Sequence, residues 1–120
     1  MGMIATKDGK QAMLEGLYKV EFKTPLGAGS GVVFAREGKM WGGDAGLFYT
    51  GSYTESGADV IATVSTDRHT AYPGTTSVFG RDQVQIKLSG KMNGDSGVFQ
   101  GSSPQAPGVG FTAALRKISN

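Results

Sequence analysis

The stretch GLYKVEFKTPLGAGSGVVFAREGKMWGGDAGLFYTGSYT, Gly16–Thr54, decides the fold. At its start Tyr18, Val20 and Phe22 alternate with Lys19, Glu21 and Lys23. A period of two marks a half-buried strand, because successive side chains of a pleated chain point to opposite faces. Pro25 cannot donate to a ladder and ends this strand near residue 24. A second strand over 28–36 sets Val32 and Phe34 on one face and Val33 and Ala35 on the other. Glu37-Gly38 then makes a hairpin turn, since glycine accepts the positive φ such turns demand. A short third strand, Lys39–Gly43, carries the only tryptophan, and a fourth runs over 46–54.

The rest of the chain repeats this grammar. A fifth strand is predicted over 58–66, joined through Ser56-Gly57, with Val60, Ala62 and Val64 alternating against Ile61, Thr63 and Ser65. A sixth over 83–90 sets Val84, Ile86 and Leu88 against Gln85, Lys87 and Ser89, and Asn93-Gly94 is a strong hairpin signal. A seventh covers 97–101, a Ser/Pro/Gly loop 102–108, and an eighth 109–117 places Val109, Phe111, Ala113 and Leu115 on one side. Between the fifth and sixth, Asp67–Asp82 has no strand pattern; Pro73-Gly74 suits a turn and TSVFG a single helical turn. Loops of that length are usually functional or mobile, which makes it the first place to look for a site. Eight short antiparallel strands leave a sandwich or a barrel. Short sequential connections favour an eight-stranded antiparallel up-and-down barrel, and closure removes exposed edges. A single domain over 16–118 is expected, with residues 1–15 as a flexible leader in which KQAMLEG could add a helical turn.

Composition narrows the function classes. A chain of 120 residues can bury a core without staples. Its 20 glycines are scattered without a repeat, which suits turns and excludes collagen. Twelve basic against ten acidic residues, without a basic cluster, argue against direct nucleic-acid contact. With no cysteine, disulfides and thiolate metal sites are impossible. No signal-peptide pattern opens the chain and no apolar run approaches about 18 residues, so a cytoplasmic protein without membrane contact is expected.

Tempting motifs carry little. Gly94-Asp95-Ser96-Gly97 reads like a serine-protease nucleophile segment, with His69 and Asp82 upstream in the right order. The spacing is far too short for that two-barrel fold, and the segment sits at a hairpin tip where Asp and Gly are ordinary turn residues. Gly108-Val109-Gly110-Phe111-Thr112-Ala113 matches a loose dinucleotide fingerprint, but it alternates as a strand where the fingerprint needs a helix N-terminus. His69 alone cannot supply a zinc site. No catalytic residue, metal or cofactor is expected.

At Gly38-Lys39-Met40-Trp41-Gly42-Gly43-Asp44 and on to Tyr49-Thr50-Gly51, the chain reads G-x-M-x-G-G-D-x-x-x-x-Y-x-G. With Gly16-Leu17-Tyr18 before it, and Ser77-Val78-Phe79-Gly80 and a strand ending at Gly90 after it, this order of motifs resembles the GrlR-like family, negative regulators of type III secretion. The resemblance covers roughly 16–117. It implies a lipocalin-like barrel, often a homodimer, that acts by protein contact and not by catalysis. In the founding regulators an acidic run after the fourth strand engages a transcriptional activator; here Glu55-Ser56-Gly57-Ala58-Asp59 keeps two carboxylates, so Glu55 and Asp59 are the partner-binding candidates. Gly42, Gly43 and Asp44 read as structural, a strand bend followed by a turn aspartate.

Two functions compete. One is a non-catalytic interaction module. The other is a carrier for a small apolar ligand, with Tyr18, Phe22, Phe34, Trp41 and Phe111 among the lining candidates, beside Val20, Val60, Val64, Val84, Ile86, Leu88 and Leu115. The same residues would equally make a solid core, and Trp41 would equally make a core or rim aromatic.

Overall fold

A computed structural model describes residues 14–71 and 82–120. Most of the leader, the Pro73-Gly74 turn, TSVFG and Ser77-Val78-Phe79-Gly80 lie outside the described residues. Among the described residues eight strands run in chain order: β1 (Gly16–Thr24), β2 (Gly27–Arg36), β3 (Lys39–Gly43), β4 (Leu47–Ser56), β5 (Asp59–Arg68), β6 (Val84–Asn93), β7 (Ser96–Ser103) and β8 (Ala106–Ser119). Each pairs antiparallel with the next, and β8 returns to β1, so the sheet closes into the up-and-down barrel that the alternation predicts.

The period of two decides what fills it. Tyr18 and Val20 of β1, Val33 and Ala35 of β2, Met40 of β3, Leu47, Tyr49 and Tyr53 of β4, and Val60 and Ala62 of β5 are buried. So are Val84, Ile86 and Met92 of β6, Phe99 of β7, and Phe111, Ala113 and Leu115 of β8. Lys19, Glu21, Lys23, Lys39 and Lys87 stand outward and exposed. An apolar inside and a charged outside reverse the pattern of a lipid-facing barrel. No helix among the described residues is long and apolar enough to cross a membrane.

Three local expectations change. Glu37 shares the β2–β3 turn with Gly38 in the left-handed region, at φ 51° and 82°, so the turn uses two positive-φ residues where glycine alone was expected. The loop expected over 102–108 shrinks to two residues, because backbone pairing continues through Ser103↔Ala106 after a register shift. Serine and proline blurred the alternation there without stopping the ladder. The leader is not wholly loose: Leu14 is 1% exposed and closes one end of the barrel. Its carbonyl accepts the Tyr53 hydroxyl at 2.6 Å, its N–H donates to Glu55 Oε2 at 3.0 Å, and the Glu15 N–H donates to the Tyr18 hydroxyl at 3.1 Å.

The close approach of β3 to β2 depends on Gly42. A Cβ there would lie 2.1 Å from the Val32 carbonyl oxygen and 2.8 Å from the Val33 Cα, so β2 passes where a side chain would begin.

Candidate functional site

The end opposite Leu14 is hollow. A cavity of about 350 Å³ lies between the inner faces of β1 to β6 and β8, within the range of small-molecule pockets. Inward positions on β2 explain the space: Gly29 and Gly31 pair with Phe22 and Val20 and bring no side chains of their own. Phe22 therefore leans over Gly29, and the Tyr49 ring crosses Gly31, whose added Cβ would sit 2.8 Å from the Tyr49 hydroxyl. Phe22 meets Tyr49 edge-on at 6.2 Å and stacks on Phe111 at 6.0 Å. Val33, Met40, Leu47, Val64, Val84, Ile86 and Leu88 complete an apolar wall.

One polar corner interrupts that wall. Asp44 follows β3, and its Oδ1 accepts the N–H groups of Gly46 at 3.0 Å and Leu47 at 2.8 Å, which folds the β3–β4 turn. Its Oδ2 accepts the Tyr49 hydroxyl in a short bond. Burial pushes the Tyr49 phenol well above its ordinary range, and the hydrogen bond and negative charge of Asp44 push it further, so it stays protonated and donating. The turn is tied to the end of β5: His69 and Thr70 donate their N–H groups to the Gly46 carbonyl. The His69 ring bridges the Asp44 carbonyl through Nε2 at 3.0 Å and the Thr70 hydroxyl through Nδ1 at 2.6 Å. These partners select the tautomer with hydrogen on Nε2. Beside it the Thr66 hydroxyl donates to the Asp82 carbonyl at 2.6 Å. The Arg68 guanidinium grips the Asp82 carboxylate through Nε at 2.9 Å and Nη2 at 2.8 Å, and holds that carboxyl below its ordinary range.

The predicted residues divide between three places. Phe22 and Phe111 line the cavity. Tyr18, at 0% exposure, packs at the closed end and does not reach it. Phe34 and Trp41 require correction: both lie on the outer wall, Trp41 with 51% exposure. Val33, Ala35 and Met40 occupy the inward parity of β2 and β3, and a pleated strand leaves their neighbours only the outside. Leu17, Phe34 and Trp41 are paired in one row across β1, β2 and β3. Val32 and Phe48 face each other in the next row across side-chain-free Gly43. Ile118, the extra residue where β8 shifts register against Leu17, extends the apolar patch. Val32 and Phe34 already share a parity in the sequence; which parity faced outward, and that Leu17 and Trp41 join them, was decided by the register between strands.

The acidic candidates do not form one surface. Glu55 is half-buried, on the inward parity of Tyr53, and holds the Leu14 N–H. Asp59 is exposed and paired with Lys91 at 2.6 Å. Nor do His69, Asp82 and Ser96 converge: Asp82 belongs to Arg68, and Ser96 opens β7 at the other end of the barrel. Among the described residues no cluster of three or more His, Asp or Glu could hold a metal ion. No protein-family model matches this chain, and no curated protein matches it significantly.

Proposed function

We propose that this chain is a non-catalytic binding module, a cytoplasmic homodimer of GrlR-like character that restrains a protein partner, a transcriptional activator of type III secretion. The observation that carries the reading is the outer patch of Leu17, Val32, Phe34, Trp41, Phe48 and Ile118. Monomeric proteins seldom leave so contiguous an apolar face in water, and tryptophan at the centre of such a face is a common anchor of protein contacts. Arg36 and Lys39, paired in the next row, supply a polar rim. Glu55 and Asp59 are weaker as partner contacts, since each has an intramolecular partner.

A pull-down from the native cell, with the wild type beside Trp41→Glu, tests this. Recovery of a secretion activator by the wild type alone supports it; a wild type that recovers no specific protein refutes it. Sedimentation velocity tests the dimer, with Trp41→Glu expected to run as a monomer.

A second reading, a carrier of small apolar molecules, is favoured by the cavity of about 350 Å³. Native mass spectrometry that finds no co-purified ligand in any preparation counts against it.

A further inference from the structure

We propose that the cavity selects neutral or cationic, mostly apolar molecules that carry a hydrogen-bond donor, and rejects anions of the same shape. The inference deepens the carrier reading and rests on it. Among the described lining residues there is no lysine, arginine or histidine, and the one charged side chain is the Asp44 carboxylate. Two hydroxyl hydrogens at the wall are already committed, that of Tyr49 to Asp44 Oδ2 and that of Thr66 to the Asp82 carbonyl at 2.6 Å, while the Ser30 hydroxyl borders the cavity from an exposed position on the outward parity of β2. What these groups still offer a ligand is lone pairs: on Asp44 Oδ2, on the Tyr49 oxygen and on the Thr66 oxygen. Asp44 Oδ1 is filled by two backbone donors. Arg68, two residues beyond Thr66, turns its guanidinium to Asp82 and to the Thr70 carbonyl at 3.0 Å. The guanidinium is engaged there and is not part of the cavity lining, although Asp44 and Arg68 still feel each other's charge.

The consequence is a sign preference. An alcohol, amide or amine on an apolar body brings a donor to the acceptors at the Asp44 corner, while its carbon skeleton covers Phe22, Val64, Ile86 and Phe111. A carboxylate or sulfonate on the same body would lose its water beside Asp44 with no cationic side chain among the described lining residues to meet it, and a buried charge without a partner is strongly disfavoured.

N-phenylnaphthylamine and anilinonaphthalene sulfonate share one ring skeleton, and only the second carries an anion. Each is titrated into the full chain and read by its fluorescence enhancement. The amine is expected to bind, and the sulfonate to bind at least about tenfold more weakly. Asp44→Asn should narrow that gap, and Ala113→Leu, which fills the cavity from β8, should abolish amine binding. Sulfonate bound as tightly as the amine, and lost in Ala113→Leu, overturns the charge selection and leaves the carrier reading standing. An amine that does not bind, or binds undiminished to Ala113→Leu, overturns both. The wild-type comparison decides the sign preference even where Asp44→Asn fails to fold.

Discussion

Replacing Gly42 with alanine tests the closeness of β2 and β3 on which both the cavity and the outer patch depend. The new Cβ would lie 2.1 Å from the Val32 carbonyl oxygen and 3.0 Å from the Val32 carbonyl carbon. A carbon normally stays about 3.3 Å from a carbonyl oxygen, so roughly 1.2 Å of separation is missing. The obstructing atoms are backbone, and no side chain can rotate to make room. Relief requires parting β2 from β3 along a ladder of five residue pairs, Val32↔Gly43 to Arg36↔Lys39. Overpacking of this kind costs about 1–3 kcal/mol, and each weakened ladder bond adds about 1 kcal/mol. The smaller entropy of an unfolded chain with alanine offsets about 0.4–1 kcal/mol. The net expectation is a loss of about 3 kcal/mol, a large share of the 5–15 kcal/mol that holds a typical domain together. Urea unfolding followed by far-ultraviolet circular dichroism measures it. Gly110→Ala, where a Cβ meets nothing within 4 Å, should be nearly neutral. A Gly42→Ala protein within about 1 kcal/mol of wild type would refute the close approach.

Three further perturbations probe the two ends of the barrel. Tyr49→Phe removes the donor on Asp44 Oδ2 but leaves both backbone bonds to Oδ1, so thermal unfolding should show a loss of about 1–2 kcal/mol with the fold intact. Leu14→Ala should cost about 2–5 kcal/mol in chemical denaturation, because Leu14 is 1% exposed; no change would mean that the chain before β1 does not close the barrel. Burial above all, then the Glu55 and Glu15 charges, raises the Tyr53 hydroxyl to about 12 against the opposing Gly38 backbone. A raised folded pKa means stability that is complete below the unfolded value of about 10 and is lost as pH climbs from there through about 12. The urea midpoint should therefore fall across that window and fall less steeply in Tyr53→Phe; equal slopes would refute the assignment.

Much of the architecture was legible before any coordinates. Alternation named the inward residues of β1, β5, β6 and β8, because in those strands one parity is mostly apolar and the other carries most of the polar and charged residues. Asp44 was legible as a turn residue from its place after Gly42-Gly43, and it accepts two turn N–H groups. The cavity was not legible. Its space comes from Gly29 and Gly31 falling inward beside Phe22 and Tyr49, a consequence of register between strands and not of any single strand.

The chain by itself determined the number of strands described, most of their turns and the two parities of each, since a pleated backbone converts sequence period directly into faces. Only tertiary structure decided which parity looked inward where both were apolar. In β2, Val32 and Phe34 compete with Val33 and Ala35; in β3, Met40 competes with Trp41. Local pattern cannot break such a tie. Pairing with β1 and β4 does, because the register that buries Tyr18 and Tyr49 carries Val33, Ala35 and Met40 inward and leaves Phe34 and Trp41 on the outer wall.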